Sequence, residues 1–324
     1  LPYPIDKKFV IAIASSALFD LSESDKVFRE KGAEEYREYQ EENINTILRT
    51  GAAFPFIRRF LRLNQVFPDK QPVEVVLLSR NSPETGLRVF NSIKHYNLDI
   101  TRAAFFSGGL PFRYIPAFNA SLFLSANKDD VINAIKAGFP AGRVIENSII
   151  DDENDLELRL AFDFDGVIVD DAAERVYKES NDLSLYHLSE QNNAEVPLNP
   201  GPLQDMFKKL SFFQKLEKKK LVEDSSYVQI LKTAIITARN APAHARMVNT
   251  LKSWGVSVDE VFFLGGIEKK RILEVMKPHM YFDDQSLHLN TDSVPQVHIP
   301  FGITNEEIIQ TPSILAETGS TSEI

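Results

Sequence analysis

The sequence predicts an α/β protein built on a parallel sheet, with a degenerate copy of the same unit in its N-terminal half. Three observations carry this expectation. Short apolar runs rich in Val, Ile and Phe alternate with longer amphipathic stretches, the pattern of strand-helix-strand units. Several runs in the second half end in Asp or Thr, as strands do where a parallel sheet presents ligand-binding groups at its carboxyl edge. The order and spacing of the runs after residue 150 follow those before it, with a period too long for a solenoid.

Taken in order, candidate strands lie near residues 9–14, 74–79, 103–106 and 121–125 in the first half, with helices at 82–96 and 129–137. Gly51 precedes a further amphipathic stretch. In the second half the strands fall near 157–163, 231–236, 260–264 and 280–283, with helices at 202–219 and 240–254. Two insertions interrupt the pattern, at about 20–50 and 171–200. The expected organisation is therefore a half without catalytic residues over 1–150 and a catalytic half over 151–301 carrying the insertion at about 171–200. A polar C-terminal tail over 302–324 completes it, ordered only if it docks.

The chemistry concentrates at the strand ends of the second half. The run Leu158-Arg-Leu-Ala-Phe-Asp-Phe-Asp-Gly166 delivers Asp163 and Asp165 to the same side of the chain. Gly166 then permits a tight turn whose backbone N–H groups can face an anion. One carboxylate, Asp163, can attack phosphorus while Asp165 handles the proton of an alcohol or water. The run Ile235-Ile-Thr-Ala-Arg-Asn240 carries Thr237 at its tip, so Thr237 and the adjacent Ala238 are candidate phosphate-binding residues beside a helix N-terminus. Thr237 serves equally well as a plain helix cap. In Gly265-Gly-Ile-Glu-Lys-Lys270, Lys269 is preferred over Lys270 as the fixed positive charge opposite a phosphate. Met280-Tyr-Phe-Asp-Asp-Gln285 ends in paired carboxylates. The expected magnesium ligands are Asp163, the backbone carbonyl of Asp165, and Asp283 or Asp284, a hard all-oxygen set.

The halves align through Val75-Val-Leu-Leu-Ser-Arg-Asn81 with Ala234-Ile-Ile-Thr-Ala-Arg-Asn240, and Phe105-Phe-Ser-Gly-Gly109 with Phe262-Phe-Leu-Gly-Gly266. On this alignment Ala14 and Ser16 replace the two aspartates, Leu78 the threonine, Phe112 the lysine, and Ser125 and Ala126 the metal carboxylates. Such a half can support its partner, bind a regulatory nucleotide, or simply pack.

Taken jointly, the four motifs resemble those of the haloacid dehalogenase superfamily, and more closely those of the cytosolic 5′-nucleotidase I family. The closer resemblance rests on Ser15-Ser-Ala-Leu-Phe19, Gly51-Ala-Ala-Phe-Pro-Phe56, Asn91-Ser-Ile-Lys-His-Tyr96, Gly201-Pro-Leu203, Leu251-Lys-Ser-Trp-Gly255 and Lys277-Pro-His-Met-Tyr-Phe-Asp-Asp-Gln285, across about residues 9–290. It implies a Rossmann-like fold with a cap insertion between the nucleophile and threonine strands, and magnesium-dependent hydrolysis of nucleoside 5′-monophosphates, AMP above all. Members of that family tend toward Asp-Gly-Asp at the first motif, where this chain has Asp163-Phe164-Asp165. Tyr177 and Tyr186 in the insertion can stack on a base or pack as core. Because the motifs specify the phosphoryl group and not the alcohol, a phosphatase for sugar phosphates or other small esters is the competing enzyme. A nucleotide-binding regulatory protein is the alternative of another class, against which both intact aspartates argue. A nucleotide effector and a homo-oligomer are both compatible with the sequence.

Composition bounds the partners. At 324 residues and 43% hydrophobic content the chain can bury a large core. A net charge of −10 without a basic stripe argues against a nucleic-acid polymer or an anionic membrane as partner. Zero cysteines exclude disulfides and thiolate sites and fit a reducing, cytoplasmic compartment. The six histidines form no His-x-x-x-His pair, which argues against zinc. No apolar run approaches the roughly 20 residues that span a bilayer.

Overall fold

Apolar runs form ten strands in the computed structural model, which describes residues 3–147 and 149–310. They are β1 (Phe9–Ile13), β2 (Val73–Ser79), β3 (Arg102–Phe105), β4 (Ala120–Ser125), β5 (Ala141–Ile145), β6 (Leu158–Phe162), β7 (Leu231–Thr237), β8 (Glu260–Phe263), β9 (Met280–Asp283) and β10 (Gln296–His298). β1 and β2 are buried at every position, as a parallel sheet covered on both faces requires. All ten belong to one sheet in the order β3-β2-β1-β4-β5-β10-β9-β6-β7-β8. Every neighbouring pair is parallel except β5 and β10, which run antiparallel.

The sheet thus reads as two sets of five strands with the same internal order, joined at β5 and β10. Because that joint is antiparallel, the carboxyl ends of the two sets open on opposite edges of the sheet. The joint is close: a Cβ on Gly142 of β5 would come within 2.3 Å of Val297 Cγ1 on β10, so only glycine fits there. Crossover helices cover the faces, namely Phe54–Val66, Pro83–His95 and Lys128–Lys136 in the first set and Gln204–Glu223, His244–Ser253 and Lys269–Met276 in the second. Pro83–His95 starts at a reciprocal Ser82 and Thr85 capping box with proline in the first turn. One hydrophobic cluster runs through both halves on one face, from Phe9 and Phe60 to Phe207 and Phe282; separate clusters line the opposite face of each half. The linker between halves is pinned by buried Arg59, which pairs with Asp151 and donates to the Asp152 and Asp155 carbonyls.

Both insertions fold as helix pairs: Ser22–Lys31 with Ala33–Glu42, and Ala172–Ser180 with Leu183–Asn192. Each is attached to its half by matching hydrogen bonds. Arg88 Nε donates to the Thr46 carbonyl as Arg246 Nε does to that of Val196, both at 2.9 Å. Asn91 donates to the Ile44 carbonyl as Asn249 does to that of Ala194. Ser92 Oγ accepts from Leu48 N as Thr250 Oγ1 accepts from Leu198 N.

Several expectations need adjustment. β5 and β10 were not anticipated. The helix expected from residue 240 begins at His244, after a turn. Strand register aligns Thr237 with Ser79 rather than Leu78, since the seven-residue strands β2 and β7 start together against β1 and β6 and end against Phe105 and Phe263. The segment expected as a tail begins with a docked turn at Ile303–Asn305, where buried Asn305 donates to the Asp284 carbonyl. Residues 311–324 of that tail lie outside the described residues. Among the described residues no helix is long and apolar enough to cross a membrane.

Candidate active site

Three adjacent parallel strands, β9-β6-β7, bring their carboxyl ends to one edge. Register pairs Phe162 with both Ile235 and Phe282, so the residues that follow emerge side by side. Asp163 follows β6, Thr237 ends β7, Asp283 ends β9 with Asp284 next, and Lys269 opens the helix after β8. Asp163, Thr237, Lys269, Asp283 and Asp284 are all buried, while Lys270 is exposed and pairs with Glu274.

Lys269 Nζ lies 2.8 Å from Asp163 Oδ2 and 2.7 Å from Asp283 Oδ2. Asp163 Oδ1 accepts from its neighbour's backbone, Phe164 N, at 2.7 Å. Burial pushes the Asp163 carboxyl up to about 7, against the pull of Lys269 and with the help of Asp283. Burial acts upward on Asp283 too, but Lys269 and then His288 hold it well below the usual carboxylate range. Asp283 is also fully engaged: Oδ1 accepts from Gln285 N at 2.8 Å, and Oδ2 takes both Lys269 and the buried Tyr281 hydroxyl.

Asp284 is the opposite case. Its side chain is 0% exposed, and neither carboxylate oxygen has a hydrogen-bond partner among the described residues. Burial, then Asp163 and Asp283, raise its carboxyl well above the ordinary value. The carboxylate rests against the turn after the first motif, since a Cβ on Gly166 (φ +74°) would meet Asp284 Oδ2 at 2.7 Å. Its backbone carbonyl is fixed by His298 Nε2 and Asn305 Nδ2, both at 2.9 Å. An orphaned buried carboxylate beside Asp163 is what an oxygen-bound cation would satisfy. Asp163, Asp283 and His288 also bring one donor each within 4.8 Å of one another. Asp283 is already saturated, however, so Asp284 fits a direct ligand better.

Asp165 pairs with Arg239, which donates to both its oxygens at 2.7 Å. Thr237 Oγ1 accepts from Arg239 N at 3.1 Å, and Ala238 is exposed at the turn. Tyr177 is 42% exposed, whereas Tyr186 packs against the core with its hydroxyl in the field of Arg239 and Asp165. Sequence reasoning missed Arg239 and Glu190 as members of the site. Arg239 lies within the threonine motif, but nothing local marks Glu190, 49 positions away, as its partner.

The 5′-nucleotidase family model matches residues 1–306. The chain belongs to the 5′-nucleotidase family. Within that family it is 33% identical over 296 residues to human cytosolic 5′-nucleotidase 1B, covering 89% of this chain and 48% of the relative. The chain therefore spans about half the length of the curated relative it matches. No solved structure matches it.

Proposed function

We propose that the protein is a magnesium-dependent 5′-nucleotidase that converts nucleoside 5′-monophosphates, AMP-like in character, to nucleoside and phosphate. Family membership supports the reaction class, and the name of the human relative supports a nucleotide substrate and a cytoplasmic location. The observation that carries the reading is the buried pairing of Asp163 with Lys269 beside the orphaned carboxylate of Asp284.

In the first half-reaction an Asp163 oxygen attacks phosphorus, the bond to the nucleoside 5′-oxygen breaks, and Asp165 gives that oxygen a proton. In the second, Asp165 takes a proton from water, water oxygen bonds to phosphorus, and the bond to Asp163 breaks to release phosphate. Lys269 keeps Asp163 paired with positive charge, which counters the burial that would otherwise favour its neutral, non-nucleophilic form. Thr237 and the Ala238 backbone face the phosphate oxygens. Magnesium would be held by Asp163, the Asp165 carbonyl and Asp284, and when bound it supplies positive charge against the phosphoryl oxygens. The helix pair at 172–192 serves as the cap that excludes water.

The first half reads as a degenerate repeat of the second. The shared strand order and the matching insertion contacts support this, with Ala14, Ser16, Ser79, Phe112, Ser125 and Ala126 in place of the functional residues. That half retains no equivalent of the nucleophile, so it simply packs, supports the catalytic half or takes a nucleotide effector.

Phosphate release should be measured across nucleoside monophosphates and sugar phosphates, with magnesium and with excess chelator. Release from AMP-like substrates that chelator abolishes is the expected result. Preference for sugar phosphates would move the reading to the competing phosphatase, and undiminished release in chelator would overturn the metal.

A further inference from the structure

The Asp165 contact with Arg239 is one link of a longer buried chain. Arg239 Nε donates to Asp165 Oδ2 and Nη2 to Oδ1, a two-point grip on the carboxylate. Its remaining nitrogen, Nη1, donates to Glu190 of the insertion helix Leu183–Asn192 and to the Ala243 carbonyl. The other oxygen of Glu190 accepts from Arg246 at 2.8 Å. The side chains of Arg239 and Glu190 are each 1% exposed, and the guanidinium lies over the Phe164 ring at 5.3 Å.

The first half contains an internal control. There Gln40 stands where Glu190 stands, and Arg88 Nη1 donates to it at 3.3 Å as Arg246 does to Glu190. On the register that aligns Ser79 with Thr237, Asn81 stands where Arg239 stands, and among the described residues its Oδ1 accepts from Ser15 and Ser79 and its amide reaches Thr85, none of which lies in that helix. Docking a helix pair on this fold therefore does not require the strand-end arginine. The bridge from the strand-end position to the insertion helix occurs in the half where an aspartate, and not Ser16, occupies the acid-base position.

We infer that Arg239 and Glu190 are positioning residues for Asp165, fixing its carboxylate for proton transfer and making that alignment depend on the docked insertion helices. The inference rests on the proposed acid-base role of Asp165. Both oxygens of Asp165 accept from Arg239, and each keeps a second lone pair for a proton from water. The arrangement is that of a proton acceptor, so the second half-reaction should depend on it most. Lysine cannot reproduce the two-point grip.

Three variants test this by rapid-quench kinetics on AMP and on p-nitrophenyl phosphate, whose leaving group needs no proton. Arg239→Gln should lower kcat by about a hundredfold, within the range of general acid-base effects, and lower KM along with it, because the second half-reaction becomes rate-limiting. It should give a burst of nitrophenolate followed by slow turnover, because the phosphoenzyme accumulates. Arg239→Lys should recover only part of the loss. Glu190→Gln copies the residue that the first half folds with, and should lower kcat by about tenfold with the same burst. In an Asp165→Asn background it should have no further effect, since the residue it positions is gone.

An undiminished Glu190→Gln effect in that background, or a folded Arg239→Gln variant with kcat within about twofold of the parent, would overturn the inference. A parent that turns over AMP normally alongside a Glu190→Gln variant equal to it sinks only this inference. A parent that never forms a phosphoenzyme sinks the proposed mechanism instead.

Discussion

Replacing Asp284 with asparagine should stabilise the protein stripped of divalent cations and abolish the stabilisation that magnesium gives the parent. The side chain is fully buried with both oxygens unpartnered among the described residues, and it faces Asp163 and Asp283. Its carboxyl is raised in the folded state above the unfolded value of 3.8. A group raised in this way contributes its stability below the unfolded pKa and loses it as pH rises toward the folded pKa. The cation-free parent should therefore weaken as pH rises above about 4, by at most ~1.4 kcal/mol per pH unit for this one group. Asparagine does not titrate, so the gap between variant and parent should widen over that range. Magnesium at about 100 times its dissociation constant should return about 2.7 kcal/mol to the parent, or about 4 °C in Tm for a chain of this length. Scanning calorimetry from pH 5 to 8, in chelator and in magnesium, reads both quantities. A variant less stable than the parent in chelator, with a magnesium shift equal to the parent's, would refute the assignment of Asp284 to the cation.

The remaining predictions concern neighbouring groups. Lys269→Met should abolish turnover and cost about 3–5 kcal/mol, because it strands two buried carboxylates, while Lys270→Met should stay within about 0.5 kcal/mol of the parent; urea unfolding and phosphate release check both. Burial, followed by Arg59 and Arg159, pushes the His279 imidazole down to about 3 from 6.5, and its Nδ1 accepts from Arg159 N at 3.1 Å. Because the folded value lies below the unfolded one, this contribution is present above pH 6.5 and is lost as pH falls toward 3, by at most ~1.4 kcal/mol per unit. His279→Gln, whose amide oxygen can still accept from Arg159 N, should flatten the loss of stability between pH 6.5 and 4 in denaturant titrations, and an unchanged slope would contradict this.

The placement of the candidate site was legible in the sequence because polar residues closing apolar runs are conspicuous: Asp163, Thr237, Asp283 and Asp284 each end or follow a strand on one edge. The joint between the halves was not legible. β10 is three residues long between Pro295 and Pro300, and β5 carries Gly142 and Arg143 in its interior, so neither resembles a strand locally. Gly142 makes sense only against Val297, a contact across more than 150 positions that no local pattern encodes. The slip from Ser79 to Leu78 has a similar origin, since β2 is buried on both faces and lacks the alternation that sets register. The link from Asp165 through Arg239 to Glu190 joins three separate segments, and burial alone makes it consequential.

The most direct test of the account is to find where phosphate is attached during turnover. AMP and magnesium should be mixed with the enzyme, quenched in acid within the first turnover, and the digested protein analysed by mass spectrometry. The account predicts a phosphoryl adduct on the peptide containing Asp163, absent in Asp163→Asn, a variant that should remain folded and inactive. Turnover of that variant within about threefold of the parent, or an adduct on any other residue, would contradict it.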